Sequence, residues 1–157
     1  MGNSIERVPD KCVFDRRAVL HAGVAAGAAL LIPAARACEV AVGHFTIVHP
    51  WTLASARTAT SAIVCMTFQD VTQTDRLIGA QSMVATSADM GGQAAAPGVN
   101  FVIHSQQTSV LHEDGVHLRL LGLKFPLQQG REYPMTLVFE KAGAVHTTLS
   151  VDFERPA

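Results

Sequence analysis

The feature that most constrains the fold is a strict two-residue alternation near the C-terminus. From Ala144 to Phe153, Val145, Thr147, Leu149, Val151 and Phe153 alternate with His146, Thr148, Ser150 and Asp152. Side chains two apart share a face only in a β-strand, so this segment has one face inward and one outward. Other runs of strand length point the same way. Ala62–Phe68 is continuously apolar and reads as a strand buried on both sides, and 76–83, 99–103, 116–121 and 135–140 are further strand candidates. Turn-forming clusters separate them: D-V-T-Q-T-D at 70–75, M-G-G-Q at 90–93, A-P-G at 96–98, H-E-D-G at 112–115, Q-Q-G at 128–130 and K-A-G at 141–143. No segment beyond the N-terminal region sustains a helical period. Many short strands at this spacing predict an all-β sandwich or barrel.

The N-terminal region reads as a targeting segment. Arg16-Arg17 precede an apolar run of small residues from Ala18 to Pro33, followed by Ala35-Arg36-Ala37. A charged region, an apolar stretch and an A-x-A site are the parts of an export signal. The paired arginines resemble the twin-arginine type, although Asp15 stands where that pattern usually has Ser or Thr. The run is shorter than the ~20 residues of a bilayer span and contains His21, so no stable membrane span is expected after cleavage. The expected division is residues 1–37 as signal and 38–157 as one β-sandwich domain in the periplasm. Cys38 at the new terminus invites lipid attachment, but Ala34-Ala35-Arg36-Ala37 is no lipobox. A bond between Cys38 and Cys65 is disfavoured, because one lies at a terminus and the other in mid-strand.

Composition narrows the function. With a formal net charge of −1, the chain has no basic field to hold a nucleic-acid backbone. Neither a nucleophile elbow nor metalloprotease spacing nor a phosphate-binding glycine loop occurs, so no enzyme is expected.

Four motifs in order carry a resemblance: His49-Pro50-Trp51, Asp75-Arg76-Leu77-Ile78-Gly79-Ala80, Gly122-Leu123-Lys124 with Pro126-Leu127, and Pro134 to Gly143 (P-M-T-L-V-F-E-K-A-G). Together they resemble the periplasmic copper chaperone family PCu(A)C. The resemblance implies a cupredoxin-like Greek-key β-sandwich. It also implies a carrier of Cu(I), the cargo being delivered to a cytochrome oxidase subunit or to another copper chaperone. The family binds copper through H-x10-M-x21-H-x-M, soft imidazole and thioether ligands that suit Cu(I).

On this chain the pattern is degenerate. His117 stands at the second His, but the following Met position holds Arg119, the first His position falls on Gly91, and the first Met position falls on Val102. The interval from Val102 to His117 is about seven residues shorter than the family's. A fixed cation at Arg119 would oppose copper beside His117 by up to about a few kcal/mol where poorly solvated. The candidate ligands are therefore His117 and Met90, the latter entering by a one-residue register change that Gly91-Gly92 would permit. A harder N/O set, His104, His112 and His117 with Glu113 or Asp114, is the other metal arrangement considered. A metal-free alternative makes His117, Arg119 and Asn100 a patch for an anionic or protein partner. Of the remaining candidates, Met83 is read as packing, His44 and His146 as surface residues, and His49 as structural, with Trp51 filling the core.

Overall fold

A computed structural model describes residues 39–154, all of them strand, turn or loop. No helix among the described residues is long and apolar enough to cross a membrane. The strands are β1 (Glu39–Val42), β2 (Phe45–Leu53), β3 (Ser61–Gln69), β4 (Asp75–Ser82), β5 (Ser87–Gly92), β6 (Phe101–Ile103), β7 (Ser109–Leu111), β8 (Val116–Leu121), β9 (Glu132–Phe139) and β10 (Gly143–Asp152). The signal segment and Cys38, including any bond from Cys38 to Cys65, lie outside the described residues.

The strands hydrogen-bond in the order β5-β8-β3-β2-β10-β9-β4-β6, with β1 on β2 and β7 on β3. Every pairing is antiparallel except β2 with β10, which runs parallel. The first long strand thus lies beside the last, and the long crossovers are of Greek-key kind. β3 serves both layers: Ser61 to Val64 pair with β8, and Met66 to Phe68 pair with β7. The result is an all-β, barrel-like sandwich. Its interior holds Phe45, Ile47, Val64, Met66, Phe68, Leu77, Met90, Leu118, Leu137, Phe139 and Leu149, among others. Phe45, Phe68 and Phe139 meet edge-on or tilted at 4.9–6.1 Å, a favourable aromatic arrangement.

The family motifs are structural joints. Asp75, 1% exposed, opens β4 and accepts hydrogen bonds from the N–H groups of Arg76, Lys141 and Ala142 at 2.7–3.0 Å. His44 Nε2 lies 2.9 Å from the same carboxylate. The D-R-L-I-G-A and F-E-K-A-G segments are therefore tied at one buried anion, which anchors the β9–β10 turn. Burial pushes this carboxyl's pKa up. The backbone donors, helped by His44, outweigh that and hold it below its ordinary value. His44 is accordingly a half-buried partner of Asp75 and not the free surface residue expected.

The H-P-W segment lies inside β2. The register of β2 on β3 shifts between Val48 and Trp51, and His49 takes a positive φ of 46°. This bulge turns His49 sideways to Asp152 of β10, at 2.7 Å. Trp51 is buried opposite Cys65, outside the main core cluster.

Other expectations need correction. The 90–93 segment, expected as a turn, closes a strand, β5. Phe153 was expected to point inward, but β10 ends at Asp152 and Phe153 is 72% exposed. Met83, expected to pack, is 61% exposed. Beyond β5 the chain folds back on itself: Met90 N–H donates to Gly98 carbonyl at 3.2 Å and Ala96 N–H to Met90 carbonyl at 3.2 Å.

Candidate metal site around His117

His117 lies on β8, second residue after the H-E-D-G turn. That turn is closed by His112 N–H to Val116 carbonyl (2.8 Å) and Gly115 N–H to His112 carbonyl (3.0 Å). β8 alternates: Leu118 and Leu120 enter the core, while His117 and Arg119 belong to the other face. β5 runs antiparallel beside it, with Asp89 opposite Arg119, Met90 opposite Leu118 and Gly91 opposite His117. Residues directly opposite share a face. The outer face thus carries Asp89, Gly91, His117 and Arg119, and the core face carries Met90 and Leu118.

Met90 and His117 are therefore on opposite faces of the β5–β8 ribbon. Met90 is 1% exposed among core side chains, and the structure does not bring it to the imidazole. The harder set does not assemble either. His104 and His112 are exposed, and no group of three His, Cys, Asp or Glu able to hold a metal occurs among the described residues.

His117 itself is 8% exposed. Its ring occupies the space that a side chain at position 91 would need: a Cβ on Gly91 would come 2.3 Å from Nε2 and 2.6 Å from Cδ2. Gly92, at φ 69°, packs against the carbonyl of Gly115, and its absent Cβ would be 3.2 Å from His117 Nδ1. The position that the family resemblance assigns to a first histidine is thus filled by the second histidine's ring. Nδ1 is buried without a hydrogen-bond partner. A buried polar nitrogen left unpaired is costly, and an ion is one of the partners that would satisfy it.

Arg119 is not a free cation. Its Nε and Nη2 donate to the two oxygens of Asp89 at 2.9 and 2.7 Å, a bidentate fork across the strands. These bonds hold the Asp89 carboxyl below its ordinary pKa against the opposing effect of burial. They also raise the guanidinium's pKa. The repulsion of copper expected from Arg119 is thereby largely neutralised, and Arg119 is bound to Asp89 in place of the patch with Asn100. Asp89 was missed by the sequence reading; its partnership depends on a long-range register that no local pattern encodes.

Cys65 is the other soft donor nearby. β3 pairs Val64 with Leu118 and Ile63 with Arg119, so Cys65 falls on the His117 face, one step beyond the paired residues. It is 2% exposed and lines a cavity of about 330 Å³ with Trp51, Leu53, Ile63 and Glu113. Burial, then the charge of Glu113, raises the thiol's pKa to about 11, although the Glu113 backbone N–H donates to it.

Comparison with known proteins agrees with this architecture. Residues 45–151 match the family described as "Putative lipoprotein LpqE-like". The solved structure "Copper-bound PCuAC domain from PmoF2" is 30% identical, with a TM-score of 0.66 over 73% of this chain and 97% of that one. The apo PCuAC domain from PmoF1 is 28% identical, TM-score 0.67, covering 73% and 98%. The solution structure of Cu(I)-DR1885 from Deinococcus radiodurans is 27% identical, TM-score 0.53, covering 64% and 73%. No curated protein matches the chain. With the motifs joined at Asp75, the sandwich topology and these likenesses in hand, the chain belongs to the LpqE-like family of PCuAC-type β-sandwich domains.

Proposed function

We propose that the chain is an exported copper carrier of PCuAC type. It takes up Cu(I) in the periplasm and passes it to a cytochrome oxidase subunit or to another copper chaperone. The observation that carries this reading is His117: a buried imidazole at the family's ligand position, with one ring nitrogen lacking any partner. The copper-bound neighbour of the same fold supports it. Copper here is cargo, so moderate affinity and few ligands suit release better than a closed four-ligand cage. Met90 would reach this face only if β5 were to turn over on β8, and it is assigned to packing. The metal-free alternative, a partner-binding patch at His117 and Arg119, is weakened because Arg119 is already committed to Asp89.

The test is a Cu(I) titration of the full chain against a competing chelator, comparing the unaltered protein with His117→Asn. One equivalent of Cu(I), lost or strongly weakened in the variant, is expected. Identical binding in both would sink the assignment of His117, and absence of binding by the unaltered chain would sink the carrier reading.

A further inference from the structure

We propose that Cys65 and His117 form a two-residue Cu(I) site, a thiolate and imidazole pair distinct from the His and Met set of the family. This rests on the carrier reading and names the donor that the degenerate pattern lacks. The argument begins with the row of side chains across the outer face. Trp51 of β2 is directly opposite Cys65 of β3, and Gly91 of β5 is directly opposite His117 of β8. The β3–β8 ladder ends at Val64 opposite Leu118, and its register carried one step further sets Cys65 against His117. Directly opposite residues in a paired ladder have Cβ atoms about 4.5–5.5 Å apart, so a thiol and an imidazole one step past its end remain within reach of a shared ion. Cu(I) accepts two-coordinate binding by soft donors, and thiolate and imidazole both qualify.

Three further observations support the pair. His117 is more than nine-tenths buried and its Nδ1 makes no hydrogen bond, so reorienting the ring from Gly91 toward Cys65 breaks no bond at that nitrogen. The cavity of about 330 Å³ reaches Cys65 from outside, giving an ion a route to the thiol. The charge that would oppose a cation on this face, Arg119, is matched by Asp89.

Binding is a ligand exchange without redox change. The Cys65 S–H bond breaks, the S–Cu bond forms, and the proton leaves to solvent. A cysteine thiol is ordinarily protonated at neutral pH, so each ion bound releases about one proton.

The experiment uses the full chain with Cys12→Ser and Cys38→Ser, so that Cys65 is its sole thiol. Cu(I), supplied from a competing chelator under reducing conditions, is followed by ultraviolet thiolate-to-copper charge transfer, X-ray absorption and proton release. One sulfur and at least one nitrogen around copper, with one proton released per ion, are expected. Cys65→Ser and Cys65→Ala should each lower affinity on the order of 100-fold, the upper end of what loss of a supporting group costs. Thermal melts followed by the fluorescence of Trp51 establish that both variants fold. Unchanged affinity in both Cys65 variants, with binding still lost in His117→Asn, overturns the pair and leaves the carrier reading standing. Sulfur coordination that survives in Cys65→Ala also overturns the pair, because it would come from methionine. No Cu(I) bound by the parent chain overturns both.

Discussion

Replacing Asp75 by asparagine should destabilise the domain far more than so small a change suggests. Oδ1 accepts the N–H groups of Arg76 and Lys141, and Oδ2 accepts that of Ala142 and faces His44 Nε2. Asparagine has one acceptor oxygen. Placed at Oδ1, it leaves its NH2 facing the Ala142 N–H, donor to donor, while His44 can change tautomer and accept. One buried N–H left unpaired costs about 1–3 kcal/mol, and loss of charge on the two retained bonds adds about 1 kcal/mol. The expected loss is about 2–4 kcal/mol at neutral pH, or roughly 8–16 °C in Tm at about 4 °C per kcal/mol. Urea unfolding followed by the single tryptophan, Trp51, measures it. The pH dependence supplies a second check. The Asp75 carboxyl is depressed in the folded state, so its stabilisation is complete above the ordinary value of 3.8 and is lost as pH falls through the lower folded value. The gap between parent and variant should therefore close in acid. A difference within about 0.5 kcal/mol at pH 7, the scatter of an ordinary surface change, would refute the reasoning. So would a gap that is undiminished at low pH.

Gly92→Ala should part β5 from β8: its Cβ would come 1.7 Å from the Gly115 carbonyl oxygen, at a φ of 69° that disfavours alanine. A loss of about 2–4 kcal/mol with faster amide exchange in these two strands is expected, and unaltered exchange would contradict it. Arg119→Met removes both bonds to the buried Asp89 carboxylate. Because that carboxyl's folded pKa is depressed, the resulting instability should be present above its ordinary value of 3.8 and fade below it, as denaturant midpoints across pH would show. Thr147→Val should raise stability by about 1 kcal/mol in a thermal melt, because the buried Oγ1 of Thr147 has no partner to lose.

Local patterns in the sequence reveal most of the strands and little of the site. The alternation at 144–153 predicts β10 nearly to the residue because one face is buried along its length, and it fails at Phe153, where pairing ends. The strand predicted at 62–68 is β3, but burial on both sides holds only at Val64, Cys65 and Met66: Ile63 is exposed and Thr67 half-buried. β5 was hidden by its glycines: Gly91 and Gly92 resemble turn residues, yet their lack of side chains serves the close packing of the His117 ring. His117 was legible because the H-E-D-G turn and the G-L-K motif bracket it. Met90 was misplaced by a face, since period-two geometry sends it into the core when Gly91 faces outward. Asp89, His44 and Cys65 acquire their partners across separations of 14 to 31 positions or through a tertiary cavity, and no short-range periodicity encodes such pairings.

The fold-back after β5 has a consequence for recognition. Sheet edges with unpaired peptide groups are templates on which another chain can add a strand. Here the peptide group of Met90 is already occupied on its outward side by Gly98 and Ala96 of the same chain. Strand addition at Met90 is thereby blocked. A protein taking copper from the proposed His117 site would therefore meet side chains of the outer face there, and not an open backbone edge at Met90.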